Sequence, residues 1–231
     1  MKQTLFFLII GITQNLYADM KHMGHMEDDP LISMVIIDRL EVHDDTEQTK
    51  MFEGSFWLGY DLHKIYLYSE TEATSDALKG SQNDIVYSHA IAPYWDVQMG
   101  FAYDKNDDAS KTWAEIALAG LAPYYFETRA ALLISEEGTV GFRFDAEYEA
   151  LLTQKLILTP SLEADFYTAN DAKMRVGSGL SNIEAGLRLR YEIQREFAPY
   201  IGVTWEKTFG NTRDFMPINE TNLLLGVRIW F

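Results

Sequence analysis

The sequence predicts an all-β fold: a transmembrane antiparallel β-barrel of about 12 strands that follows a cleaved signal peptide. Three observations predict it. The last residues alternate, with Leu223, Leu225, Val227, Ile229 and Phe231 on one face of a strand and Leu224, Gly226, Arg228 and Trp230 on the other. This is the period-2 signature of a strand lying between two unlike surroundings. The chain then stops on an aromatic residue. In a soluble protein such an apolar edge invites aggregation, whereas in a barrel the last strand pairs with the first and the edge disappears. The third observation is an export signal at the other end.

Residues 1–18 read as that signal. Lys2 is its charged region, residues 5–12 its apolar core and Ala18 the last residue before cleavage. The apolar stretch is too short for an anchor. Residues 19–30 read as a short polar tail rich in Met and His, with neither a strand nor a helix period. Residues 31–231 are then the barrel.

Candidate strands lie at 31–41, 51–62, 64–72, 84–92, 95–103, 112–120, 124–135, 139–150, 155–167, 180–195, 198–208 and 221–231. Alternation is cleanest mid-chain. Val140, Phe142, Phe144, Ala146 and Tyr148 oppose Arg143, Asp145, Glu147 and Glu149; Ile183, Ala185, Leu187, Leu189, Tyr191 and Ile193 oppose Asn182, Glu184, Gly186, Arg188, Arg190 and Glu192. A helix would be ringed by charge on every side. The apolar set faces lipid, because a charge at the bilayer midplane of a barrel costs about 2–4 kcal/mol. A lipocalin-like barrel or β-sandwich would use the same alternation with apolar residues inside; the export signal and terminal strand favour the membrane barrel.

The connections alternate in length. Tight turns at 61–64, 92–94, 121–123, 151–154 and 195–197 alternate with longer polar loops at 42–50, 73–83, 104–111, 168–179 and 209–220, and 136–138 is a short outer hairpin. Bacterial barrels have short periplasmic turns and longer external loops, so this alternation fixes parity and requires a strand at 31–41. That strand alternates poorly, since Met34, Val35, Ile36 and Ile37 are consecutive. Ten strands plus an extra segment is the other count.

Composition narrows the function. The formal charge is −16, which argues against a nucleic-acid partner and for a surface that attracts cations. There is no cysteine, hence neither a disulfide framework nor a thiolate metal site. Tyr and Trp are plentiful and favour membrane–water interfaces. An enzyme is not expected: Ser88 and His89 are neighbours on opposite strand faces, so they cannot act as a nucleophile–base pair.

The tail carries the sharpest chemistry. Met20, His22, Met23, His25 and Met26 place five soft or borderline donors within seven residues. Thioether sulfur suits Cu(I) and imidazole suits both copper states, while Met is not a usual zinc ligand. His43 in an acidic outer loop, His63 in a periplasmic turn, His89 in a strand of undetermined facing, and Met174 and Met216 in outer loops are weaker metal candidates. The inward strand face should carry a charge network of Glu115, Glu127, Arg129, Arg143, Asp145, Glu147, Glu163, Asp165, Glu184, Arg188, Arg190, Glu206 and Arg228. Confined charges of both signs should pair, and a polar cation path is compatible with that pairing.

Several strands resemble the copper resistance protein B family: residues 57–64 (WLGYDLHK), 89–96 (HAIAPYWD), 112–114 (TWA), 120–127 (GLAPYYFE), 146–158 (AEYEALLTQKLIL), 177–181 (GSGLS) and above all 186–203 (GLRLRYEIQREFAPYIGV). The resemblance covers about residues 34–231 and rests on the order and spacing of these segments. It implies an outer-membrane barrel of a bacterial copper resistance system, with copper ions as bound ligand or substrate, membrane lipid around it and a periplasmic multicopper oxidase as a possible partner. Members carry a long Met- and His-rich amino-terminal region; here the tail is short, which shifts weight toward the barrel. The expectation is a protein that binds copper and moves it across, or sequesters it at, the outer membrane. The other class is a non-transporting scaffold for the oxidase.

Overall fold

Alternation along every strand resolves into one closed antiparallel ladder. The computed structural model describes residues 29–75 and 77–231; residues 1–28, including the expected signal peptide and Met20, His22, Met23, His25 and Met26, lie outside them. The strands are β1 (Ile32–His43), β2 (Lys50–Gly59), β3 (His63–Ala73), β4 (Leu78–Ala92), β5 (Trp95–Lys105), β6 (Ser110–Ala122), β7 (Phe126–Ser135), β8 (Val140–Glu147), β9 (Ala150–Leu151), β10 (Leu156–Tyr167), β11 (Gly179–Tyr191), β12 (Phe197–Thr208) and β13 (Asn219–Trp230). Each pairs with its neighbour in sequence, β8 and β9 share β10 as partner, and β13 returns to pair with β1. The barrel therefore has 12 staves, with β8 and β9 as successive pieces of one. No sheet edge is left over, which is the condition for crossing a bilayer with strands.

The gap inside that stave has a local cause. Ala150 pairs with Leu158 and Glu147 with Ser161, so register is continuous across the break. Tyr148 therefore faces Pro160, which accepts its N–H at 3.1 Å but has none of its own to return.

The poor alternation of the first strand also has a cause. Ile37 pairs with Gly54 and the next paired residue, Arg39, with Glu53, so Asp38 is an extra residue, a β-bulge. The bulge exchanges the two faces. Beyond it Arg39 and Glu41 are buried while Leu40 and Val42 are exposed. Asp38 itself lines the interior.

Outward residues form an apolar band. Ile85, Met99, Phe101, Ile116, Leu132, Leu223 and Leu225 are all exposed on the barrel wall. Inward positions hold Gln98, Glu115, Arg143, Arg188 and Arg190 with little access to solvent. This inversion of the soluble pattern is a barrel built for lipid. Among the described residues no helix is long and apolar enough to cross a membrane. Both ends of the described chain lie at the short-turn end. At the other end the loop at 168–178 and the one-turn helix α1 (Thr212–Phe215) meet, with the Gly177 N–H donating to Thr212 Oγ1 at 2.7 Å.

Candidate functional site

The interior has two unlike walls. Across β4–β8, Asp84, Asp104 and Glu115 each meet an arginine. Arg129 from β7 donates to Asp84 at 3.0 Å and to Glu115. Arg143 from β8 reaches Asp104 at 2.5 Å, and the Trp113 indole N–H donates to the same carboxylate at 2.7 Å. Around them Ala102, Trp113, Leu133 and Tyr167 form a buried apolar cluster against which Val176 packs. Val176 belongs to the 168–178 loop, which is tied over this wall by Lys111–Asp171 at 2.9 Å and by Asn106 Nδ2 donating to Lys173 O at 2.9 Å. Burial would push the Asp171 carboxyl up, but the bonds from Lys111 and from the Met174 and Lys173 N–H groups outweigh it and hold the pKa below its ordinary value.

The other wall is not matched. Asp145 of β8 lies directly opposite Glu163 of β10, Glu163 opposite Glu184 of β11, Glu184 opposite Glu206 of β12 and Glu206 opposite Glu220 of β13. Like charges placed directly opposite are destabilising. Rows of partners run across the strands, and barrel strands tilt about 35–45° from the axis, so the row climbs as it goes round. Glu163 is mid-strand, Glu206 stands two residues from the loop end of β12 and Glu220 is the second residue of β13. Glu53 and Glu70 form a further facing pair on β2 and β3. Arg39, at the bulge, bridges Glu53 at 2.9 Å and Glu163 at 2.6 Å. Among the described residues, no side-chain hydrogen bond or ion pair engages Glu70 or Asp145.

A cavity of about 500 Å³ opens between these walls. Its lining includes eight carboxylates (Asp38, Glu53, Glu70, Asp84, Glu127, Asp145, Glu147, Glu163) against four guanidinium groups (Arg39, Arg129, Arg143, Arg228). Carboxyl groups thus outnumber guanidinium groups two to one in the lining.

Glycines let long side chains cross the wall. Glu41, whose side chain is fully shielded, accepts from Arg188 Nε at 2.6 Å and from the Tyr200 hydroxyl at 2.9 Å. Tyr200 and Glu41 are both register partners of Gly226. A Cβ at Gly226 would meet the Tyr200 ring at 2.5 Å, so only glycine lets the phenol pass over it.

The charged residues named from the sequence lie along the barrel interior or at its mouth. Arg190 bonds Glu149 at 2.6 Å, Arg228 bonds Asp38 at 3.0 Å and Glu149 at 2.9 Å, and Asp165 stands 3.9 Å from Arg143. Glu147 is 4.0 Å from Arg39, Glu184 is 4.0 Å from Arg188, Glu206 is hydrogen-bonded to Asn182, and Glu127 is exposed at the short-turn mouth. Arg39, Glu41, Glu53 and Glu70 were missed. The bulge hid the first two; Glu53 and Glu70 were legible, because Met51, Glu53, Ser55 and Trp57 alternate against Phe52, Gly54, Phe56 and Leu58.

The metal candidates scatter. His43 is the last residue of β1 instead of a loop residue, and its Nε2 lies 3.2 Å from Glu41. Met174 and Met216 are half-buried in separate loops. His63 is the first residue of β3 instead of a turn residue, and it is the register partner of His89. Both face outward at the short-turn rim. Among the described residues, no three histidine or acidic side chains converge as a metal-ligand set.

The comparisons with known proteins agree with this architecture. The barrel resembles the NanC porin (TM-score 0.56, 14% identity, covering 84% of this chain and 98% of that one) and the KdgM porin (TM-score 0.50, 13% identity, 87% and 99%). At such identity the likeness concerns fold alone. The model of the family described as copper resistance protein B precursor matches residues 31–231. The chain belongs to the copper resistance protein B family. It is 38% identical over 216 residues to copper resistance protein B of Escherichia coli, covering 90% of this chain and 73% of that protein. The copper resistance protein B homolog of Pseudomonas syringae pv. tomato is 37% identical over 217 residues, covering 91% and 74%. With its lipid-facing band and porin-like closure, this copper resistance protein is an outer-membrane β-barrel, and its short-turn end is periplasmic by the rule for such barrels.

Proposed function

We propose that this copper resistance protein binds copper ions in its lumen and passes them across the outer membrane, acting as a conduit and not as an enzyme. The observation that carries the reading is the acid excess of the cavity, eight carboxylates to four guanidinium groups, continued by the facing row from Asp145 to Glu220. A cation passing along that row relieves repulsion at each step. Oxygen donors without a closed ligand set hold an ion weakly at several sites, as conduction requires. Cu(II) accepts such donors more readily than Cu(I), which prefers sulfur. In this reading Met20, His22, Met23, His25 and Met26 receive or present copper at the periplasmic mouth.

The cap over the β4–β8 wall favours a second reading, a non-transporting barrel that docks a periplasmic copper oxidase. Copper flux into liposomes carrying the refolded mature protein, with zinc as control, separates the two. Copper-selective flux supports the conduit; intact barrels without flux overturn it and leave the scaffold. Replacing the five tail residues by Ala should lower copper tolerance without affecting barrel assembly, and unchanged tolerance removes the tail from the mechanism.

A further inference from the structure

We infer that His63 and His89 form a divalent transition-metal site on the outer face of the barrel, at the periplasmic rim and outside the lumen. The two are cross-strand partners on β3 and β4, with ring centroids 4.7 Å apart. Their Nδ1 atoms are 3.2 Å from each other. An ion held at about 2.0–2.1 Å from each nitrogen would subtend roughly 100–106° between them, near the tetrahedral angle. The rings now lie within 20° of parallel. Binding therefore requires both to turn about the Cβ–Cγ bond, a motion open to side chains at an exposed rim.

Two oxygen atoms lie beside the pair. The Tyr87 hydroxyl is 2.5 Å from His63 Nδ1 and the Leu62 carbonyl oxygen is 3.2 Å from His89 Nδ1. Two imidazole nitrogens with oxygen donors suit Cu(II) and Zn(II) and do not suit Cu(I), for which sulfur is missing. Without a metal, one histidine must act as donor and the other as acceptor; with one, both present lone pairs.

The position matters because of where the chain enters. The first described residue, Asp29, accepts the Asp61 N–H at 2.9 Å, at the turn that leads into His63. In sequence Asp29 follows Met26 by three positions, a span of at most about 11 Å. The rim pair thus lies beside the point where the described chain begins. The site deepens the copper reading but does not depend on flux through the lumen.

The test is Cu(II) stoichiometry, by electron paramagnetic resonance, on the full mature protein in detergent micelles. Wild type should hold one more tightly bound ion than His63→Ala or His89→Ala, with coupling to two nitrogens at that ion. The double variant should lose no more than either single one. Affinity in His63→Gln should fall by more than the roughly 10–100-fold that an outer-shell change costs. Heat-modifiable migration in gels checks that each variant folds. A variant with all five tail Met and His residues replaced by Ala should keep the rim ion. Equal stoichiometry in wild type and both single variants, or a loss on replacing only one histidine, overturns the site. A conducting barrel without the rim ion defeats this inference alone; a non-conducting barrel that keeps it defeats only the transport reading.

Discussion

The two walls of the lumen draw on the same amino acids and use them oppositely. Across β4–β8 each carboxylate of the Asp84, Glu115 and Asp104 group meets an arginine, and aromatic residues fill the space beside them. Across β10–β13 four glutamates stand in one row of register partners, and guanidinium groups reach only its lower members. One wall is therefore a packed support in which Asp84, Glu115 and Asp104 each meet an arginine. The other keeps its charge available, at a cost to stability that folding alone gives no reason to retain. Charge type does not distinguish them; which carboxylates the arginines reach does.

The largest effect expected from disturbing this contrast is on the packed wall. Arg143→Ala leaves Asp104 shielded and unpaired, and loss of one partner of a buried pair costs about 3–5 kcal/mol. The variant should show a markedly lower unfolding temperature in micelles. An equally large loss of stability on removing Glu184 would erase the distinction between the walls. Glu184→Gln is instead expected to leave stability unchanged or raise it by about 0.2–1 kcal/mol, by removing like-charge opposition. Its cation flux should fall.

A smaller effect should come from the outer mouth. Lys79 Nζ lies 3.2 Å from Glu47, 3.5 Å from Glu72 and 3.8 Å from Asp45, a tethered cation where a mobile one would enter. Lys79→Met should raise single-channel cation conductance at low salt, with the difference shrinking as ionic strength rises. The smallest is a pH effect confined to the loop after β1. Burial would raise the Asp45 pKa, but bonds from the Thr49 hydroxyl and N–H outweigh it and hold it below the ordinary 3.8. A depressed carboxyl contributes stability above its unfolded value and loses it as pH falls through the folded one. Amide exchange at Thr49 should therefore speed up only below about pH 3.8, while the strand ladder stays protected.

Much of this was legible in the chain itself. All 12 staves overlap the spans that alternation marks out, because a barrel wall between lipid and a charged interior writes a period of two more strongly than a half-solvated sheet. What was hidden has physical reasons. A single extra residue at Asp38 reverses facing, so Arg39 and Glu41 read as out of phase. The acidic row depends on register between strands, and no single strand records its neighbour's offset. The approach of His63 to His89 is likewise a property of pairing, since they stand 26 positions apart in sequence.

The seam between β1 and β13 has a consequence for how the molecule comes into being. It joins residues 36–43 to residues 224–230, nearly opposite ends of the described chain. Contacts that distant reward the chain only after the whole intervening length has been ordered. Until then each hairpin offers an apolar face and an unpaired edge, the species most prone to misassociate. Synthesis must therefore finish before the protein has anything stable to become. A newly exported copy is a client of whatever escorts it, and its commitment to the membrane is a single late event.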